Sequence, residues 1–203
     1  MTLPPVSVPL NVPRRTGREE EFLGAAVASG QISGNGPLTQ WCNEALARLT
    51  GAPACLTTAS GTAALEMAGL LAGLEPGDEV IMPSFTFVST ATVIALRNAV
   101  PVFVDIRPDT LNIDEGRIEA AITPRTKAVM VVHYAGVGCE MDAISEICRR
   151  RGLMLLEDAA QCVGARYRGK PLGTFGAMGA FSFHQTKNIT CGEGGALLIN
   201  DHR

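Results

Sequence analysis

Charge is scarce in this 203-residue chain. Asp, Glu, Lys and Arg make up 18% of it, against roughly 25% in an average soluble domain. There is no basic tail or stripe, and the formal net charge is −3, which argues against nucleic acid or an anionic membrane as a partner. No apolar run reaches the ~18 residues of a membrane span, because Arg97 interrupts the best stretch. Residues 1–13 hold four prolines and no long apolar segment, so they do not read as a secretory signal. The six cysteines include no C-x-x-C pair. Without a signal they imply reduced thiols in a cytoplasm, most of them small core residues. His133, His184 and His202 stand far apart without metal-ligand spacing, so no metal is expected. A G-x-x-x-x-G-K-[ST] loop is missing, which excludes the common nucleoside triphosphatases. Gly169, Gly173, Gly176 and Gly179 have the wrong spacing for G-x-G-x-x-G and follow no clear strand, which argues against a nicotinamide-binding domain.

What the chain does have is hydrophobicity, at 46% of residues, enough for a large core or an apolar face meant for a partner. Helical patterns are expected over 18–29 (with Thr16 as N-cap), 38–49, 62–72, 88–97, 115–121 and 141–151. Short apolar runs over 54–56, 79–82, 102–104, 128–132, 154–156, 180–183 and 196–199 read as buried strands. Their alternation predicts an α/β domain, with a mainly parallel seven-stranded sheet covered by helices on both faces. Residues 1–36 divide off as an N-terminal arm and first helix, and 37–203 as the large domain. Residues 200–203 read as a turn after the final strand, with no closing helix, so the chain is expected to be a fragment or a truncated product. Ligands of such sheets sit beyond the carboxyl ends of the strands, where chemistry should be sought.

Three segments at those ends stand out. Thr57-Thr58-Ala59-Ser60-Gly61-Thr62-Ala63-Ala64 is a hydroxyl-rich turn running into a helix. It reads as a phosphate cradle or as ordinary capping by Ser60. Glu157-Asp158-Ala159-Ala160-Gln161 places carboxylates at the end of a buried strand, where a charge needs a cation or donors. Asp158 suits a protonated ring nitrogen, a metal, a ribose or a helix N-cap. Phe181-Ser182-Phe183-His184-Gln185-Thr186-Lys187-Asn188 puts Lys187 before the run Gly192-Glu193-Gly194-Gly195. A lone loop lysine is usually just solvated, but a desolvated one can lose its proton and attack a carbonyl. A cradle, a strand-end Asp and a lysine, in that order on one sheet, answer the three needs of pyridoxal phosphate. Its phosphate needs an anchor, its ring nitrogen a carboxylate, and its aldehyde an amine.

These segments, with Gly77-Asp78-Glu79-Val80-Ile81-Met82-Pro83-Ser84-Phe85-Thr86-Phe87-Val88-Ser89-Thr90, resemble the DegT/DnrJ/EryC1/StrS sugar-nucleotide aminotransferases, pyridoxal-phosphate enzymes of fold type I. The resemblance runs from about residue 8 to the end. The stretch Val104-Asp105-Ile106-Arg107-Pro108-Asp109-Thr110-Leu111-Asn112-Ile113-Asp114 and the run His133-Tyr134-Ala135-Gly136-Val137 are similar to one subgroup, the dTDP-4-amino-4,6-dideoxygalactose transaminases.

The resemblance implies that Lys187 binds the cofactor and shuttles a proton, while Asp158 keeps the ring nitrogen protonated. It also implies that Phe87 stacks on the ring, Ala160 supports the other face and Gln161 bonds the ring hydroxyl. Ser60 and Gly61 form the cradle, in which Thr62, the Ala63 backbone and Ser182 hold the phosphate. L-Glutamate would be the amino donor and a dTDP-linked 4-keto-6-deoxy sugar the acceptor, in a homodimer with a shared site. Family members are much longer, and a C-terminal small domain is missing from this sequence. A dehydratase of the same family is the competing activity, against which Lys187 argues; an inactive fragment is the other.

Overall fold

The computed structural model describes Pro9 and residues 11–201. In chain order the helices are α1 (Glu19–Ala28), α2 (Pro37–Thr50), α3 (Gly61–Leu71), α4 (Val88–Ala95), α5 (Glu115–Ala121) and α6 (Met141–Arg151). The strands are β1 (Ala54–Thr58), β2 (Glu79–Pro83), β3 (Val100–Val104), β4 (Thr126–Val132), β5 (Met154–Asp158), β6 (Arg166–Tyr167), β7 (Lys170–Pro171), β8 (Met178–Ser182) and β9 (Gly195–Ile199). Seven of them form one sheet in the order β1-β9-β8-β5-β4-β2-β3. The pairs β3–β2, β2–β4, β4–β5 and β5–β8 are parallel. The strand β9 runs antiparallel to both its neighbours, β8 and β1. All seven expected strands are thus in the main sheet. The two-residue strands β6 and β7, which form a separate hairpin, were not anticipated.

Local chemistry sets the element ends. The helix α2 begins with Pro37 at its first position, where a missing N–H costs nothing, and stops at Gly51 in the left-handed region. Asp114 caps α5 by accepting from Gly116 N–H at 3.0 Å. The expected Thr16 cap of α1 is not formed. Arg18 is the N-cap and makes no side-chain cap bond. Instead Glu19 reaches back, and its carboxylate accepts from the backbone N–H groups of Thr16 and Gly17 and from the Thr16 hydroxyl. The reversal is favourable because a carboxylate in the first turn also meets the positive end of the helix dipole.

Period-two alternation sorts the strands' side chains onto two faces. Val80, Met82, Met130 and Leu156 pack with Ala64, Ala68, Val93 and Ile94 of α3 and α4. Ile81, Val129, Val131 and Leu155 pack with Ile118, Ile144 and Ile147 of α5 and α6. A third cluster joins Cys55, Phe181, Ala196 and Leu198 to Cys162 and Leu172. The four cysteines at 55, 139, 148 and 162 are buried, while Cys42 and Cys191 are exposed. The helix α1 buries no residue and leans on α2 through Phe22 and Trp41, ring centroids 5.7 Å apart. Among the described residues no helix is long and apolar enough to cross a membrane. The expected turn at 200–203 extends beyond the described residues at His202 and Arg203, as does the N-terminal arm at residues 1–8 and 10.

Candidate active site

A cavity of about 670 Å³ opens beyond the carboxyl ends of β1, β4, β5 and β8, where a parallel sheet presents its ligands. Nine of the ten expected site residues line it: Ser60, Gly61, Thr62, Phe87, Asp158, Ala160, Gln161, Ser182 and Lys187. Ala63 does not. Its N–H is donated to Ser60 Oγ at 3.1 Å, so Ser60 is an N-cap and that amide is already committed. The amides of Gly61 and Thr62 lie in the first turn of α3, which offers them no acceptor within the helix. Thr62 Oγ1 stands 2.7 Å from Ser89 Oγ of α4, adding a hydroxyl that the sequence reading had not assigned.

Two close approaches shape this cradle. A Cβ on Gly61 would lie 2.8 Å from Ser182 Cβ, and one on Gly195 would lie 2.3 Å from the carbonyl carbon and oxygen of Ser60. Only hydrogen fits at either place. The register puts Gly195 between Thr58 of β1 and Ser182 of β8. The start of β9 therefore presses the turn before α3 against the end of β8.

Asp158 ends β5 and is 5% exposed. Its Oδ2 accepts from Thr90 Oγ1 at 2.7 Å and its Oδ1 from Ala160 N–H at 3.2 Å. Burial pushes its carboxyl above the usual range, against the opposing pull of those two bonds and of the charge on Lys187. Among the described residues it forms no ion pair. A buried carboxylate at a cavity wall without a counter-ion is a receptor for a cationic group. Lys187, from the loop after β8, lines the same cavity. Its loop is pinned at the base, because Lys187 N–H donates to His184 O at 2.9 Å and His184 bridges to Gly192. The His184 ring meets Thr186 Oγ1 at 2.8 Å and Glu193 at 3.5 Å.

Gln161 Oε1 accepts from Ala135 N–H, which leaves its amide nitrogen as the donor to the cavity. Phe87 is 73% exposed at the N-terminus of α4, an apolar ring on the cavity wall. Glu157, next to Asp158 but on the other face of β5, is fully buried. It accepts from His133 Nε2 at 2.9 Å and from the amides of Gly173, Phe175 and Gly176 at 2.6–2.8 Å. His133 Nδ1 takes the Cys139 N–H, so Nε2 carries the ring proton toward Glu157. This pair ties β5 to β4 directly behind the cavity.

A helix N-terminus ringed by hydroxyls, a buried unpaired carboxylate and a lysine on one cavity fit pyridoxal phosphate at three separate points. The fold and site fit a domain that binds pyridoxal phosphate. The profile of the DegT/DnrJ/EryC1/StrS aminotransferase family matches residues 14–203, and the chain belongs to that family.

Its relatives include GDP-perosamine synthase of Caulobacter vibrioides, 43% identical over 199 residues, which cover 98% of this chain and 53% of that protein. The sugar aminotransferase Spr1654 of Streptococcus pneumoniae, solved in PLP and PMP forms, superposes with a TM-score of 0.92 at 32% identity. The PLP form is matched over 97% of this chain and 54% of its own. DesI, solved with its TDP-sugar product, gives a TM-score of 0.85 at 39% identity, with 93% of this chain and 48% of that one covered. The chain spans about half the length of these relatives.

Proposed function

We propose that this chain carries the cofactor-binding part of an enzyme that aminates a nucleotide-linked keto sugar. The observation that carries the reading is the placement of Asp158 and Lys187 on one cavity at the N-terminus of α3. Pyridoxal phosphate, when bound, supplies an electron-accepting ring. Each remaining task falls to a residue of this chain. Gly61, Thr62, Ser89 and Ser182 hold the phosphate, and Asp158 holds a proton on the ring nitrogen. Phe87 and Ala160 cover the two ring faces, and Gln161 donates to the ring hydroxyl. The Lys187 amine would hold the cofactor at its aldehyde and, when free, would serve as the base that carries a proton at Nζ.

The amino donor is L-glutamate and the acceptor a 4-keto-6-deoxy sugar, in the order donor first. The subgroup resemblance favours a dTDP carrier. The names of the relatives, one a GDP-sugar enzyme and one solved with a TDP-sugar, support a nucleoside diphosphate sugar without choosing the base. The enzyme works in the cytoplasm as a homodimer whose partner completes the site.

The test is spectroscopic. Pyridoxal phosphate is added to the chain and to Lys187→Ala, and visible absorption is followed before and after L-glutamate. The expected result is a Lys187-dependent band that glutamate bleaches. A band of equal strength in Lys187→Ala would overturn the assignment. dTDP- and GDP-linked 4-keto sugars, offered next, identify the acceptor by the mass of the aminated product.

A further inference from the structure

The helix α4 holds two threonines that behave differently. Thr92 bonds Val88 O at 3.0 Å, the ordinary habit of a hydroxyl inside a helix, which turns back on the preceding turn. Thr90 does not. Its side chain, fully buried, crosses to β5 and donates to Asp158 Oδ2 at 2.7 Å. A hydroxyl has one proton. With that proton directed to Asp158, the second short contact, Thr86 Oγ1 to Thr90 Oγ1 at 2.7 Å, must have Thr86 as donor. The result is a directed chain, Thr86 to Thr90 to Asp158, that starts at a cavity-lining residue and ends on the buried carboxylate. The Ala160 N–H occupies the other oxygen, so both carboxylate oxygens are tethered and the plane of the group is set.

We propose that Thr90, backed by Thr86, is a positioning residue that holds the Asp158 carboxylate in the orientation and charge state required by a cationic ring nitrogen. The proposal rests on the cofactor reading above. Two other titratable groups act on Asp158, Lys187 from the loop after β8 and His133 from the end of β4. Glu157, the residue before Asp158, lies on the opposite face of β5. Thr90 is the side-chain donor in direct contact. Without it, burial acts on Asp158 with only the Ala160 amide and the more distant charges in opposition. A hydrogen bond to an ionised group is among the stronger ones, so its loss moves the Asp158 carboxyl upward by about one to two pH units.

The test uses Thr90→Val, Thr90→Ser and Thr86→Val. The Asp158 carboxyl is titrated by NMR in the cofactor-free chain, with Asp158→Asn to assign the signal, and the affinity for pyridoxal phosphate is measured separately. Thr90→Val is expected to raise the carboxyl pKa by roughly one to two units and to weaken cofactor binding ~10–100-fold. Thr90→Ser should restore both, because it keeps the hydroxyl and loses only a methyl. Thr86→Val should shift both in the same direction by less. An unchanged Asp158 titration in Thr90→Val overturns the proposal. If that variant does not fold, an unchanged titration in Thr86→Val, or a Thr90→Ser titration shifted as far as removal of the hydroxyl predicts, overturns it instead. Failure of the wild-type chain to bind pyridoxal phosphate would sink the cofactor reading, while the titration would still decide the role of Thr90.

Discussion

Replacing Gly195 by alanine is a sharp test of how the phosphate cradle is built. Alanine would ordinarily help a strand, because glycine loses more freedom on folding, an effect of about 0.5–1 kcal/mol. Here the new Cβ would sit 2.3 Å from the carbonyl carbon and oxygen of Ser60 and 2.5 Å from Gly61 N. Comfortable carbon contacts need about 3.5–4 Å, so the backbone before α3 must retreat by roughly 1 Å or more. It has no rotamer with which to escape. Overpacking of this kind costs about 1–3 kcal/mol, which outweighs the gain. A net loss of about 1–2 kcal/mol lowers Tm by roughly 2–8 °C in a domain of this size.

Function should suffer more than stability, because the displaced atoms are the cap and first turn that receive the phosphate. Affinity for pyridoxal phosphate is expected to drop at least ~10-fold, equivalent to about 1.4 kcal/mol. Gly24→Ala is the control. Nothing lies within 4 Å of a Cβ there, and it stands inside α1, so that variant should be as stable as wild type or slightly more so. Differential scanning fluorimetry and a cofactor titration, run on both variants, read the two effects. Gly195→Ala with wild-type Tm and wild-type affinity would refute the close packing of β9 on the α3 turn.

Two more predictions concern the carboxylates of β5. Because burial raises the Asp158 carboxyl above its unfolded value of 3.8, the cofactor-free folded state binds more protons than the unfolded state just above that pH. Its contribution to stability is therefore present below pH ~4 and is lost as pH rises through the raised pKa. Asp158→Asn removes this loss and can keep both tethers, its oxygen accepting from Ala160 and its amide donating to Thr90. The variant should match wild type near pH 4 in urea unfolding and exceed it at neutral pH, while losing cofactor affinity. A wild-type advantage at neutral pH would contradict the sign. Glu157→Gln should be the more damaging change, because a side-chain amide must point its own N–H at one of the four donors surrounding Glu157. Leaving such a buried donor unsatisfied costs about 1–3 kcal/mol, and a loss below 1 kcal/mol in urea unfolding would show that the network is not intact.

The sheet was legible because buried parallel strands are near-continuous apolar runs, and 128–132 or 196–199 can hardly be anything else. The small hairpin was not, since Arg166-Tyr167 and Lys170-Pro171 carry no alternation and are two residues each. The Thr16 cap was misread because Glu19 offers a stronger acceptor three residues away, and composition does not say which of the two will win. In the site, the residues directly after strand ends were readable by position. Thr90 was not, because a threonine in a helix looks like any other until a partner 68 residues away is known. The Glu157–His133 pair escaped for the same reason, joining two strand ends that only the sheet order makes adjacent. Ala63 shows a different difficulty. A free helix amide and one already taken by its own cap look alike in sequence.

The position of β9 also has a kinetic consequence. In the sheet, β1 has a single neighbour, and Ala54 finds its partner at Ile199. A chain emerging from the ribosome makes β1 first and the strand that holds it last among the described residues. Until then β1 can rest only on its neighbouring helices α2 and α3. Pairings between such distant segments close slowly, because the loop entropy must be met before any contact rewards it. The same five residues, Gly195–Ile199, also press on the turn before α3 and so complete the floor of the phosphate cradle.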